Sequence, residues 1–575
     1  MSRNKLQRHM QQAELLGTRL GSYFKHTLRP DLVAGLTVAM IAVPQGMSYA
    51  AIAGVNPIYG LYTAIIPAII GSLFGSSNHL ITGPTNAAAL ATASALLAIA
   101  GQADYFEYVF ALAVMIGLVK LILGLLRLGG IVRYISNSVL TGFLAGAGIL
   151  IIVNQLHTLL GLSRPMGANT LTILGDLVQQ LPRANLHVLA IGLFVIVVLV
   201  LAKRISPRLP RALMAIVLAG VLIQIFAWDT HDVVLVRDLD CSLSGARLSF
   251  HIPLIPLKNA GNLIASAGAV ALLGLVEAMS IAKTIALASS QRINPSQEFM
   301  GQGLASLVGG FFQCIPSSGS LSRSGIAYGA GAKTRLTGIL SGVFVLLILL
   351  IFSSLIGYIP VAGLAGVVVM SAYGLFDYRH LRLTWRSRTT SRIVLSVTFA
   401  ATLLLPLYIA IYLGTLLSIG IYLYESASIQ LRYLTLNENG QVTEHSLEDI
   451  AAEHPPIALI NVEGTLYFAA VDDFENKLQA LLQTGVKVLI LRVRRLHLLA
   501  STGVIALRGI VTSARDSGAT VLLCGVTEKL GEILASSGFA SPVEEVEPVF
   551  KASDILFEST SQALRRAREI IAEEE

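Results

Sequence analysis

Gly83-Pro84-Thr85-Asn86 and Pro316-Ser317-Ser318-Gly319-Ser320-Leu321-Ser322-Arg323 are two polar interruptions in an otherwise apolar chain. Each carries a proline or glycine breaker beside Ser or Thr side chains, and an apolar helical run follows each. In lipid, backbone N–H and C=O groups must pair internally, so such a break survives only where buried protein or a hydrated cavity receives it. A pair of interrupted segments in the two halves of a membrane chain points to a transporter's binding site. A helix N-terminus carries roughly half a positive charge, with unpaired N–H groups aimed outward. Two such ends meeting near mid-membrane make an anion site.

The bulk composition supports a membrane setting. Of 575 residues, 54% are hydrophobic and 13% charged, and the mean hydropathy is +0.71; a soluble domain has about 25% charged residues. The net charge of +7 need not mean nucleic acid, because Lys and Arg crowd the loops between apolar runs, as the positive-inside rule requires. No nucleic-acid partner is expected. Cys241, Cys314 and Cys524 are too scattered for a disulfide framework or a zinc site. The first thirty residues are basic and polar, without the apolar core and cleavage site of a signal peptide. Arg3, Lys5, Arg8, Arg19, Lys25 and Arg29 are expected to hold residues 1–30 in the cytoplasm.

Apolar runs cover 31–52, 58–75, 84–99, 106–127, 132–160, 186–203 and 210–228, then 262–289, 295–314, 320–330, 335–357, 359–375, 391–405 and 407–431. That is seven plus seven, within a membrane domain spanning 31–433 and halves 31–228 and 262–431. Arg127, Arg133, Lys203, Arg204, Arg208, Arg211, Lys333, Arg335, Arg379, Arg382, Arg386, Arg388 and Arg392 all fall on the cytoplasmic side if the N-terminus is inside. The 229–257 loop, with Asp229, Asp232, Asp238 and Asp240 against Arg237 and Arg247, suits the outside. An odd number of spans per half makes the halves run in opposite senses, an inverted repeat. Thr85 lies 54 residues after Asp31 and Ser322 lies 60 after Asn262, so the breaks fall at matching places.

From about Leu434 the composition changes, and 434–456 reads as a linker. Strands at 457–462, 486–493 and 520–524 alternate with helices at 471–484, 502–517 and 528–537, the pattern of a small α/β domain over 457–560. Residues 561–575 read as a charged terminal helix.

Pro57-Ile-Tyr-Gly-Leu-Tyr-Thr-Ala64 with Gly75-Ser76-Ser77, Pro44-Gln45-Gly46, Ile81-Thr-Gly-Pro-Thr85, Gly274-Leu-Val-Glu277-Ala-Met-Ser and Ser320-Leu-Ser-Arg-Ser324 resemble the motifs of the SulP family of sulfate permeases and related anion transporters. Asn78 departs from the family's Lys or Arg, which puts a charge contact at the cytoplasmic edge in doubt. The carboxy-terminal region resembles a STAS domain. The resemblance implies an α-helical polytopic membrane protein of 14 segments in two inverted seven-segment repeats, forming core and gate domains, plus a cytoplasmic α/β STAS domain. It also implies facing half-helices as third and tenth segments, and a homodimer embedded in lipid. The family's site residues carry over onto Gln45 and Tyr49, onto Thr85 and Asn86, and onto Leu321, Ser322 and Arg323.

The side chains suggest roles. A charge at membrane depth costs roughly 2.5–3.5 kcal/mol, so Arg323 is expected either to offer planar donors to an oxyanion or to neutralise a carboxylate such as Glu277. Glu277 follows sixteen uncharged residues, Gly261 to Val276. Burial disfavours a charged carboxylate, so it can carry the coupling proton; the alternative is a fixed ion pair with Arg323 or Lys283. Gln45 follows the helix-kinking Pro44, and Tyr49 shares its face at i+4; helix–helix hydrogen bonding and packing are the respective alternatives. Thr85 and Asn86 can cap the half-helix or touch the anion. Ser322 adjoins Arg323, and Leu321 supplies wall. Lys120 lies two turns, about 10 Å, before Arg127 and is expected to snorkel to the interface without chemistry. At Leu499-Ala500-Ser501-Thr502-Gly503, Ala500 replaces the aspartate that precedes a phosphorylated serine in signalling relatives, so Ser501 is expected to be a helix N-cap. Gly329-Ala-Gly-Ala-Lys333 followed by Thr334 lacks phosphate-loop spacing.

No cofactor, metal or enzyme chemistry is expected. The favoured function is secondary active inorganic-anion transport: sulfate:proton symport by elevator-like alternating access, in a bacterial plasma membrane. Sodium-coupled bicarbonate transport or another anion exchange is the alternative, an uncoupled anion channel a third, and a membrane-tethered signalling scaffold an alternative of another class.

Overall fold

The computed structural model describes residues 27–574, apart from 101, 103, 131–134, 164, 166–169, 206–209, 227, 229–232, 240–247, 254–259, 427–428, 437–441, 448, 451–454, 537–548 and 556. The basic residues expected at the N-terminus up to Lys25, and Arg133, Arg208, Asp229, Asp232, Asp240, Cys241 and Arg247, lie outside the described residues. The chain forms two compact units, Met1–Ser418 and Ile419–Glu575.

The first repeat comprises α1 (Leu28–Ile52), α2 (Pro57–Phe74), β1 (Thr82–Gly83), α3 (Asn86–Ala95), α4 (Tyr105–Leu125), α5 (Asn137–Leu159), α6 (Thr170–Gln180), α7 (Leu186–Ile205) and α8 (Arg211–Phe226). The second comprises α9 (Ala260–Ser289), α10 (Pro295–Phe311), β2 (Ser318–Gly319), α11 (Leu321–Gly329), α12 (Leu336–Ile356), α13 (Val361–Tyr373), α14 (Tyr378–Arg386), α15 (Thr389–Leu404) and α16 (Leu407–Ser426). Among the described residues nine helices are long and apolar enough to cross a membrane, and α8 and α15 are shorter apolar helices. With α10 and the half-helices α3 and α11 they make the fourteen segments expected. The helices α6 and α14, each between two segments, were not anticipated.

The packing repeats when the halves are exchanged. Helix α12 packs on α1 and α2, as α4 packs on α9 and α10; α11 meets α1, as α3 meets α9; α13 meets α7, as α15 meets α5. This is the pairwise pattern of a pseudo-two-fold repeat. Apolar lipid gives no hydrophobic drive between helices, so small residues that allow close approach decide where they cross. On α1 and α2 that place is Gly46 against Gly60. A Cβ on Gly60 would lie 1.9 Å from the Gly46 carbonyl oxygen.

Two buried carboxylates hold the turn before β1 and the turn after α11. Asp31, in the first turn of α1, accepts N–H bonds from Lys333 (2.7 Å) and Thr334 (3.1 Å) and the Thr337 hydroxyl (2.9 Å). Glu298, in the first turn of α10, accepts from the backbone of Ser76 (2.8 Å) and Ser77 (3.0 Å). At the turn where Asn78 replaces a basic residue, the Arg335 guanidinium bonds the Gly75 carbonyl oxygen at 2.6 Å.

The second unit is a six-stranded sheet in the order β4-β3-β5-β6-β7-β8. Its strands are β3 (Gln430–Leu436), β4 (Val442–His445), β5 (Ile457–Leu466), β6 (Val488–Leu499), β7 (Thr520–Val526) and β8 (Val549–Lys551). β5 to β8 run parallel; β3 is antiparallel to both β4 and β5. Alternation along the strands sorts the two faces. Ala458, Ile460, Leu489, Leu491, Val521 and Leu523 pack under α17 (Val471–Leu482), α18 (Ser501–Asp516) and α19 (Glu528–Ser536). Leu459, Val488, Ile490, Leu522 and Cys524 pack under Ala563, Ala567 and Ile570 of α20 (Glu558–Glu574).

Two boundary expectations need correction here. The stretch 434–456 is not simply a linker, because β3 and β4 occupy part of it and Leu434 is buried in the sheet. The terminal helix begins at Glu558 and is a packed layer, since small Ala563 and Ala567 let it lie flat on the strands. The N-cap of α18 is Ala500, without a side-chain hydrogen bond, so Ser501 is the first helical residue and does not cap.

Candidate functional site

The two breaks meet. β1 and β2 pair antiparallel, Thr82 opposite Gly319 and Gly83 opposite Ser318. The contact continues as the Ser320 N–H donates to the Ile81 carbonyl oxygen (2.9 Å) and the Ile81 N–H to the Ser324 hydroxyl (2.8 Å). Each strand feeds a half-helix capped by its own hydroxyl. Thr85 Oγ1 accepts from the Ala88 N–H (3.3 Å) and Ser320 Oγ from the Arg323 N–H (3.4 Å). The N–H groups of Asn86, Ala87, Leu321 and Ser322 come before the first helical bond and have no helical acceptor. Paired strands therefore bring two positive helix ends together.

A cavity of about 1060 Å³ opens at this meeting point, and its wall includes Gln45, Tyr49, Thr85, Asn86, Glu277, Leu321 and Ser322. Seven of the eight residues singled out in the sequence thus share one hollow. Leu321 is 62% exposed to it. Thr85 is both cap and wall. Among the described residues, Gln45 Oε1, Asn86 Oδ1 and Glu277 Oε2 are buried without a hydrogen-bond partner. Buried polar atoms are normally paired, so three unpaired ones in residues that line one cavity mark a polar site whose side chains can still turn. Side-chain amides carry donors as well as acceptors and can turn N–H groups toward an anion. Proline at position 44 removes the donor that would pair the Met40 carbonyl oxygen of α1, and Gln45 follows it into the cavity wall. The Glu277 carboxylate lies beside the Ser318 and Thr85 hydroxyls and in the field of Lys120 and Arg323.

Arg323 does not reach the cavity surface. It is 1% exposed and absent from the wall. Its Nη2 donates to the Pro84 carbonyl oxygen at 2.6 Å, while Nε and Nη1 have no partner among the described residues. Leu321 and Ser322 take the open face of the first turn, and the helical rotation turns residue 323 back toward β1. In this conformation Arg323 contributes positive field from behind Gly83, not direct ligation.

Lys120 corrects a second expectation. It is 1% exposed, and its Nζ donates to the Ser317 carbonyl oxygen (2.7 Å) and the Ser306 hydroxyl (3.3 Å). It does not snorkel; the carbonyl left unpaired by the break captures the ammonium. Periodicity along α4 measures distance to the helix end but not what lies opposite. Its isolation in an apolar run was the available signal.

The cavity wall also carries Lys203 and Arg211, with Val33 and Thr37 from the first turns of α1. At the opposite end of α1, the segment 233–239 bonds across to 357–361 through Val236 N–H to Ile359 O (2.9 Å) and Arg237 N–H to Gly357 O (3.0 Å).

Residues 28–398 match the family model described as Sulfate permease family, and 450–554 match that of the STAS domain. A Bacillus subtilis protein named for sulfate transport, YvdB, is 27% identical over 523 residues, 90% of this chain and 96% of its own. The structure of murine Solute Carrier 26 family member A9, an anion transporter in the inward-facing state, aligns with a TM-score of 0.83 at 20% identity, covering 95% of this chain and 92% of that one. The transmembrane domain of a cyanobacterium bicarbonate transporter, BicA, aligns with a TM-score of 0.58 at 22% identity, covering 69% and 97%. The family match extends over the whole region that holds both breaks and every wall residue, and so the chain is an integral membrane protein of the sulfate permease family with a carboxy-terminal STAS domain.

Proposed function

We propose that the protein is a secondary active transporter that carries sulfate together with a proton. The observation that carries this reading is the junction of α3 and α11 through β1 and β2, with both helix ends at one cavity. The name of the Bacillus relative supports sulfate. A bare carboxylate on the wall of an anion site would repel the guest, so Glu277 is expected to be protonated when a dianion enters.

Site residues from α1, α3, α9 and α11 face Leu199, Arg211, Val367 and Met370 of α7, α8 and α13 across the hollow. That arrangement suits a site-bearing core moving past a gate domain, in the manner of alternating access. By the positive-inside rule, the end of the cavity lined by Lys203 and Arg211 faces the cytoplasm; a cytoplasmic N-terminal segment and a cytoplasmic STAS domain belong to the same proposal. The family resemblance supports a homodimer as the working unit, and a bacterial plasma membrane is the setting proposed for it.

Radiolabelled sulfate uptake into proteoliposomes tests this, with competing bicarbonate, succinate and chloride and with pH and sodium gradients imposed separately. Accumulation driven by an inward proton gradient without sodium is the expected result. Sodium-driven bicarbonate uptake would favour the alternative coupling, and flux that never accumulates anion would make it a channel. A chain lacking 440–575 should still bind sulfate; a scaffold, whose carboxy-terminal domain would bind its partners, would lose its output instead.

A further inference from the structure

Lys120 and Arg323 lie on opposite sides of the paired breaks. Lys120 approaches from α4, where its Nζ would be 3.2 Å from a Cβ placed on Gly274, one turn before Glu277 on α9. Ser318, whose hydroxyl binds the Gly274 carbonyl oxygen at 2.9 Å, stands beside the Glu277 carboxylate. The charged groups that face Glu277 are Lys120 on α4 and Arg323 on α11; Tyr49 of α1, Thr85 before α3 and Ser318 of β2 supply hydroxyls. Two further buried carboxylates of this unit, Asp31 and Glu298, are occupied by backbone N–H groups at residues 333–334 and 76–77. Among the described residues the local inventory is two positive charges against one titratable carboxylate.

We propose that Lys120 is a positioning residue that sets the valence of the transported anion. The inference rests on the anion reading of the cavity given above. With both cations in place, neutrality is reached by a dianion with a proton on Glu277, or by a monoanion with Glu277 ionised. Without Lys120, the neutral combination becomes a monoanion with a proton on Glu277, and a dianion leaves one negative charge uncompensated in a low-dielectric site. Coulomb energies there are several-fold larger than in water, so neutral combinations are strongly favoured.

The test measures initial uptake of sulfate and of nitrate into proteoliposomes, with and without an inward proton gradient and with the membrane potential clamped. In the wild type, sulfate uptake responds to the proton gradient and nitrate uptake does not. Equal proton dependence of the two overturns the inference without any mutation. In Lys120→Met the sulfate-to-nitrate ratio falls by about tenfold or more, the order expected for one unit charge at an effective dielectric near 20, and nitrate uptake becomes proton-dependent. Lys120→Arg keeps the wild-type ratio. A Lys120→Met protein that keeps the ratio, or loses both anions in equal proportion, shows that Lys120 only props up the break and overturns the inference alone. Wild-type protein that carries no sulfate overturns the underlying anion reading together with it.

Discussion

Arg323 reaches from the second break to donate its Nη2 to the carbonyl oxygen of Pro84 in the first, at 2.6 Å. One guanidinium thereby ties the two inverted halves together directly behind the cavity wall. It lies against Gly83, where a Cβ would come within 2.7 Å of Nη1 and 3.0 Å of Nη2.

Gly83→Ala must therefore push the guanidinium aside or part the strands. Overpacking of a filled site costs about 1–3 kcal/mol, so the KM for sulfate is expected to rise by about tenfold. Uptake kinetics in proteoliposomes check this, and an unchanged KM would mean that Arg323 has no influence on the site.

Glu277→Gln keeps the side chain's size and removes its titration. Sulfate uptake should persist at a rate that no longer rises with an inward proton gradient. A variant with full proton-driven uptake removes Glu277 from coupling.

Lys203 and Arg211 line the same cavity. At its proposed cytoplasmic mouth their charges would attract an anion. Lys203→Gln with Arg211→Gln should raise the sulfate KM about threefold at low salt, with proton coupling intact. The difference should fade as the Debye length shrinks from about 30 Å at 0.01 M to about 3 Å at 1 M. A salt-independent defect would point instead to damaged packing.

In the carboxy-terminal domain, burial pushes the Cys524 thiol up to about 11, outweighing the Thr560 hydroxyl and the Arg492 charge that favour the thiolate. The thiolate is the reactive form, so maleimide at pH 8 should label Cys524 only after denaturation. Mass spectrometry of native and unfolded protein checks this. Prompt labelling of the native protein would mean that α20 does not cover that face of the sheet.

The fourteen segments were legible because membrane depth writes its demand into composition, and the breaks stood out because Ser, Thr and Pro are costly there. The strands read at 457–462 and 520–524 were legible from continuous β-branched and aliphatic runs, although both extend further in the structure, to Leu466 and Val526. β3 and β4 were not, because Asn437-Glu438-Asn439-Gly440 reads as a linker whatever it joins. The wall residues from Gln45 to Ser322 were recognised from motif resemblance, while the direction Arg323 faces depends on a strand pairing between residues more than two hundred apart. Lys120 was misjudged for the same reason. Its partner, the Ser317 carbonyl, is distant in sequence and exists only because the chain is broken there.

The central claim is that an anion sits where the ends of α3 and α11 converge. Selenate, a scatterer with the shape and charge of sulfate, can be located by anomalous diffraction from crystals of the full chain. The account predicts a peak within hydrogen-bond reach of the N–H groups of Asn86, Ala87, Leu321 and Ser322. A peak confined to the mouth beside Lys203 and Arg211, with none at the junction, would contradict it.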